Sequence, residues 1–142
     1  AHFFRGFTMG VSIEQCTRAP ELMRAHILIL PDDKGKPIAA GTLADTDRIL
    51  RIYKFGLLTD PDEQHNGVGR IAMEQTIEWA FRNMNAHKVF CEILVDDERI
   101  WRASELAGFT REGTHRESMY LRGRLHDEHV YSMLKHEYME RQ

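Results

Sequence analysis

The chain has 142 residues, a formal charge of −3 and two cysteines, Cys16 and Cys91. That length supports one hydrophobic core, and a pI near 6.3 excludes the broad basic face on which bulk nucleic-acid binding relies. No apolar run reaches the ~20 residues that cross a bilayer, the first residues lack a signal-peptide pattern, and the cysteines show no disulfide-rich spacing, so the expectation is a single soluble, cytoplasmic domain over residues 1–142 with free thiols and neither a nucleic-acid nor a membrane partner.

Ala1 to Gly10 is short and aromatic, and Phe3, Phe4 and Phe7 are expected to cover a core or a partner surface. Ser12-Ile13-Glu14-Gln15 has the form of a capping box, which predicts a short helix from Val11 or Ser12 towards Thr17 before Pro20 disturbs it. Met23 to Leu30 reads as a strand because Ile27-Leu28-Ile29-Leu30 runs into the turn cluster Pro31-Asp32-Asp33-Lys34-Gly35. Lys36 to Ala44 and Ile49 to Leu58 follow as two more strands joined by Asp45-Thr46-Asp47, giving three antiparallel strands in series.

The stretch from Leu57 to Phe81 organises the rest. Gly67 and Gly69 stand where a strand gives way to a helix, so the backbone can turn tightly with several N–H groups pointing outward, an arrangement suited to an anion. From Arg70 to Met84, Met73, Ile77, Ala80, Phe81 and Met84 recur three and four apart, while Glu74, Gln75, Glu78 and Arg82 share another side. Ile71 and Trp79 lie outside that stripe, and Trp79 is expected to cover a neighbouring element. Lys88 to Val95 reads as a strand and Glu98 to Ala107 as a helix stopped by Gly108, with Asp96 and Asp97 as its caps. Thr114 to Leu121 and Val130 to Leu134 form a closing hairpin around Arg122-Gly123-Arg124. This order implies an α/β (α+β) chain with a mixed, mostly antiparallel sheet flanked by helices, and the ligand loop at a strand's C-terminal end.

Gln64-x-x-Gly67-x-Gly69 after a strand and a proline resembles the pyrophosphate loop of the GNAT acetyltransferase superfamily. Asp97 to Phe109, a short helix ending in Gly-Phe, resembles the superfamily's second signature. The tail Gly108-Phe109-Thr110-Arg111-Glu112-Gly113, with Asp127 to Leu134, is similar to the branch of ribosomal-protein, polyamine and amino-sugar N-acetyltransferases. The resemblance implies acetyl transfer from acetyl-coenzyme A to a primary amine by direct attack in a ternary complex; the alternative is a non-catalytic coenzyme-A-binding sensor or assembly domain. Members usually begin with another strand and helix before the segment equivalent to Ser12. Against that pattern the N-terminus is short, and a homodimer covering the open sheet edge is expected.

Such a transfer needs an anchored pyrophosphate, a polarised thioester carbonyl, a neutral amine and a proton for the departing thiolate. Main-chain N–H groups of His65, Asn66, Gly67, Val68, Gly69 and Arg70 would face the pyrophosphate, with Gln64 and Asn66 as added side-chain donors. By resemblance, Leu57, Leu58 and Thr59 would pair with the pantetheine arm. Ser104 stands where many members carry a tyrosine acid, and it is either the proton donor or a small packing residue. Glu92, Glu117 and Tyr120 are the alternatives for the base. His126, His129 and His136 invite a metal, but a strand would turn the first two to opposite faces, so no metal is expected.

Overall fold

Alternation and turn chemistry shape the first half of the sheet. In the computed structural model, which describes residues 25–63 and 67–142, strand β1 (Ala25–Pro31) turns into β2 (Pro37–Asp47), and Asp32 Oδ1 accepts the N–H groups of Lys34 and Lys36 at 2.8 and 2.9 Å. Strand β3 (Ile52–Thr59) pairs antiparallel with β2 from Ala39↔Thr59 to Asp47↔Ile52. Here the expected join at Asp45-Thr46-Asp47 is corrected: these residues belong to β2, and the chain reverses over residues 48–51. Asp47 still serves the turn, because its Oδ1 accepts the Leu50 N–H at 2.8 Å from the strand end.

After the turn at Gly67 come α1 (Val68–Arg82), β4 (Lys88–Leu94), α2 (Glu98–Leu106), β5 (Thr110–Leu121), β6 (Arg124–Leu134) and α3 (Lys135–Glu140). The closing hairpin is longer than expected and turns on Arg122 and Gly123, both at positive φ (54° and 79°), the geometry that two-residue hairpin turns require. The six strands lie in the order β1-β2-β3-β4-β6-β5, with β3 and β4 parallel and every other neighbouring pair antiparallel.

The stripe on α1 packs as its spacing predicts. Ile77, Ala80 and Phe81 join Leu43, Phe55, Val89, Cys91, Ile93, Tyr131 and Met133 in the core, and burying Phe81 alone contributes about 1.5–3 kcal/mol. Ile71 and Trp79, off the stripe, are 44% and 43% exposed. α1 sits directly on β2 because Gly41 lacks a side chain: a Cβ there would fall inside the Thr76 side chain, whose hydroxyl donates to Ala72 O at 2.6 Å. Cys91 is a free, fully buried thiol whose pKa burial pushes up. No helix among the described residues is long and apolar enough to cross a membrane. The predicted helix at Val11 or Ser12, the aromatic Phe3, Phe4 and Phe7, Cys16, and Gln64, His65 and Asn66 lie outside the described residues.

Candidate active site

The site begins where the sheet comes apart. β3 and β4 share register at Ile52↔Lys88, Tyr53↔Val89 and Lys54↔Phe90, yet β3 runs on to Thr59 and β4 to Leu94, so the two strands diverge into a wedge. In front of it lies a groove of about 760 Å³ between α1 and α2. Leu57, Thr59, Gly69 and Arg70 line one side, and Asp97, Ile100 and Ser104 line the other.

The α1 side is built largely by backbone. Gly67 holds the N-cap at φ 75°, a conformation that strains any residue with a Cβ, and the N–H groups that follow it in the first turn have no carbonyl partner within the helix. Gly69 has no such φ, but a Cβ there would lie 3.3 Å from Thr59 Oγ1, so a small residue keeps the helix start close to the strand end. The loop leaves β3 through Asp60, whose Oδ1 accepts the Asp62 N–H at 2.9 Å and whose Oδ2 lies 3.3 Å from Lys36 Nζ. The Asp62 N–H and the Lys36 ammonium hold its carboxyl below the usual range. Leu58 and Val68, also expected at the site, are buried, whereas Leu57 is half-buried on the groove.

The α2 side is fixed from behind. Trp101 Nε1 donates to Val95 O at 3.1 Å, Arg111 Nε donates to the Tyr131 hydroxyl at 2.9 Å, and that hydroxyl donates to Glu105 Oε2 at 2.8 Å. The Arg111 guanidinium also lies 4.8 Å from the Trp101 ring centre. Ser104 is 2% exposed, and its hydroxyl donates to Ile100 O at 3.2 Å, so its proton is spent locally unless the side chain turns. Asp97 occupies the N-cap position without a side-chain cap bond, and its Oδ2 is buried with no partner; Asp96 instead meets Arg124 and His126. Asp97 thus holds the expected N-cap position without a side-chain bond, and the expected cap at Asp96 is corrected.

The candidate bases separate. Glu92 meets Lys54 at 3.7 Å, a pair that spans β3 and β4 where their register ends. Glu117 is not among the residues that line the groove: it sits exposed on a β5 bulge at φ 47°, with its N–H donating to Asp127 Oδ1 at 2.7 Å. Tyr120 is 65% exposed near the hairpin tip. His126 and His129 go separate ways, to Leu121 O and to Thr114 Oγ1. Burial, then the Arg111 charge, holds His129 below its ordinary value. Among the described residues no three metal-ligating side chains converge.

Sequence reasoning missed Glu128, 1% exposed on β6, whose Oε1 accepts the Ser118 hydroxyl at 2.9 Å. Its carboxyl is pushed above the usual range by burial, with the Glu92 charge adding to the rise. The signal was there in strand alternation, since Glu128 shares its face with Val130 and Ser132. Arg99 and Arg141, which also line the groove, left no comparable signal; Arg141 is remote in sequence from either motif.

The family model described as acetyltransferase (GNAT) matches residues 4–109. Spermidine N(1)-acetyltransferase of Vibrio cholerae is 24% identical over 128 residues, spanning 85% of this chain and 74% of that protein. The Bacillus subtilis protein YdaF, named for ribosomal N-acetyltransferase activity, is 28% identical over 97 residues, 68% of this chain and 53% of its own. Among solved structures, mutant forms of the Vibrio cholerae spermidine/spermine N-acetyltransferase SpeG superpose with a TM-score of 0.82 at 22% identity, covering 91% of this chain and 78% of theirs. A second SpeG structure, in complex with manganese ions, has the same TM-score and identity and covers 91% of this chain and 76% of its own. At that identity the likeness shows the fold.

Proposed function

The chain belongs to the acetyltransferase (GNAT) family and is an acyltransferase that moves an acetyl group to an amine, and from this premise we propose that acetyl-coenzyme A is the donor and a polyamine the acceptor. The observation that carries the reading is the wedge, a groove of about 760 Å³ with a glycine-built helix start on one side and Ser104 on the other. The groove suits the donor: an anion-accepting turn at Gly67 to Arg70, apolar Leu57, Met73 and Ile100 for an alkyl-amide arm, and arginines on both sides. When bound, the donor supplies the activated thioester.

The protein's own residues then divide the work. Backbone N–H groups from Gly67 to Arg70, with Gln64, His65 and Asn66 ahead of them, hold the pyrophosphate, and Leu57, Leu58 and Thr59 pair with the arm. Ser104 hydroxyl, released from Ile100 O, gives its proton to the leaving thiolate. Glu92, placed at the wedge apex beside Lys54, takes a proton from the substrate ammonium to give the neutral amine that attacks, and the second N–H proton, lost as the amide forms, returns to the Ser104 oxygen. The net negative charge and the likeness to a spermidine acetyltransferase favour a cationic small amine. A cytoplasmic, single-domain chain belongs to the same reading. So does the homodimer, to which the exposed register partners Tyr120 and Leu125 would add apolar surface and which sedimentation equilibrium tests.

The deciding experiment is thiol release from acetyl-coenzyme A over a panel of spermidine, spermine, glucosamine and N-terminal peptides, with mass spectrometry of the products. Spermidine and spermine are expected to turn over fastest. Faster acetylation of a peptide N-terminus overturns the acceptor, and specific coenzyme A binding without transfer to any amine overturns the mechanism.

A further inference from the structure

The groove does not stop at the wedge. A second cavity of about 330 Å³ shares Met73, Glu74, Ala107 and Arg141 with the first, so the two form one trough along the flank of α1. Its far half is lined by Ile77, Phe109 and Tyr138, and Arg141 stands at the junction.

Arg141 is held there by built features. Tyr138 stacks on Phe81 at 5.1 Å between ring centres, and the Leu134 N–H donates to Glu137 Oε1 at 2.9 Å, which together fix α3. Arg141, the residue after α3, donates its N–H to Tyr138 O at 3.2 Å. Its guanidinium lies over the bare Cα of Gly108, where a Cβ would overlap it. Of the carboxylates lining the trough, Glu74 meets Arg70 at 2.9 Å and Glu78 meets Arg82 at 3.7 Å, while Asp97 makes no ion pair among the described residues. Among the described residues, neither Arg141 nor Arg99 on the α2 side has a carboxylate in ion-pair range. An arginine near the end of α2 would suit the helix dipole alone, yet no hydrogen bond from Arg141 to those carbonyls forms among the described residues.

We propose that Arg141, assisted by Arg99, is the recognition group for the 3′-phosphate of the coenzyme A donor, so that the C-terminal helix completes the nucleotide end of the site. This rests on the placement of the donor's diphosphate at the Gly67 turn. From Gly67 to Glu74 the helix rises about 10 Å, enough to carry the ribose from that turn to Arg141. The phosphomonoester is then the one donor anion still to be matched, and a planar guanidinium binds it with two parallel hydrogen bonds.

Calorimetry of the full chain with coenzyme A and with 3′-dephospho-coenzyme A tests it. The wild-type chain should prefer coenzyme A by about tenfold or more, Arg141→Gln should erase most of that preference while leaving the dephospho ligand's affinity unchanged, and Arg141→Lys should restore part of it. Arg99→Gln should cost less. The dephospho ligand is the internal control for folding, since a loosened α3 would weaken both ligands alike. Equal losses for both, or no wild-type preference, overturn the proposal and leave the diphosphate placement standing. Failure of both ligands to bind the wild-type chain overturns that placement too.

Discussion

Across the groove, α1 and α2 present different kinds of chemistry. On the α1 side the candidate functional atoms are main-chain amides, at a helix start set by Gly67 at φ 75° and by the close seat of Gly69 against Thr59. On the α2 side they are side-chain atoms, the Ser104 hydroxyl bound to its own helix and an Asp97 oxygen with no partner. Backbone chemistry constrains which residues are permitted, so it leaves a glycine pattern that can be read. Side-chain chemistry depends on where one oxygen points, and identity alone does not say.

The largest effect should come from breaking the α1 side. With Gly67→Val no described residue lies within 4 Å of the added Cβ, so the loss would come from backbone strain at φ 75° and from the Cβ meeting the donor's oxygens. Coenzyme A affinity should fall by about tenfold or more, ~1.4 kcal/mol, in calorimetry. Unchanged binding would mean that the turn does not hold the donor. A smaller effect is expected on the other side: Ser104→Ala should lower kcat several-fold while leaving the KM for acetyl-coenzyme A and the melting temperature nearly unchanged, because the hydroxyl's resting bond is to its own helix. A wild-type kcat with a good amine would make Ser104 a packing residue and the α2 side purely structural.

The smallest effect sharpens the comparison by leaving both sides alone. Glu128 is buried on β6 with a folded-state pKa above its ordinary value of 4.5, so the folded chain keeps this proton to higher pH than the unfolded chain does. Its contribution to stability is therefore most favourable below the ordinary value and is lost as pH rises towards the folded one. Glu128→Gln should raise Tm by a few degrees at pH 7.5, with the gain vanishing near pH 4. An equal gain at both pH values would trace it to packing.

Much of the fold was legible because periodicity and punctuation agreed: the α1 stripe, the Pro31 to Gly35 turn and the Gly108 stop all fall where their chemistry requires. Asp45 and Asp47 misled because aspartates suit turns, whereas here one stays in the ladder and the other serves a turn from the strand end. The α2 caps were legible only in part, since Asp97 has the right residue type at the right position and makes no cap bond. Glu117 looked like one strand residue among others, and only the bulge between His115 and Met119 carries it out to solvent. Arg141 was illegible, because what brings it to the groove is the packing of Tyr138 on Phe81.

The short register between β3 and β4 makes the sheet two three-stranded ribbons, β1-β2-β3 and β4-β6-β5, hinged at one corner and sharing a core through Phe55 and Val89. An amide-bearing arm lying in the wedge would act as a temporary seventh strand, closing with its own peptide groups a ladder that the chain leaves open. Amide-exchange protection would then rise together on both ribbons when the donor enters and relax on both when it leaves, so that the substrate is for a time part of the fold.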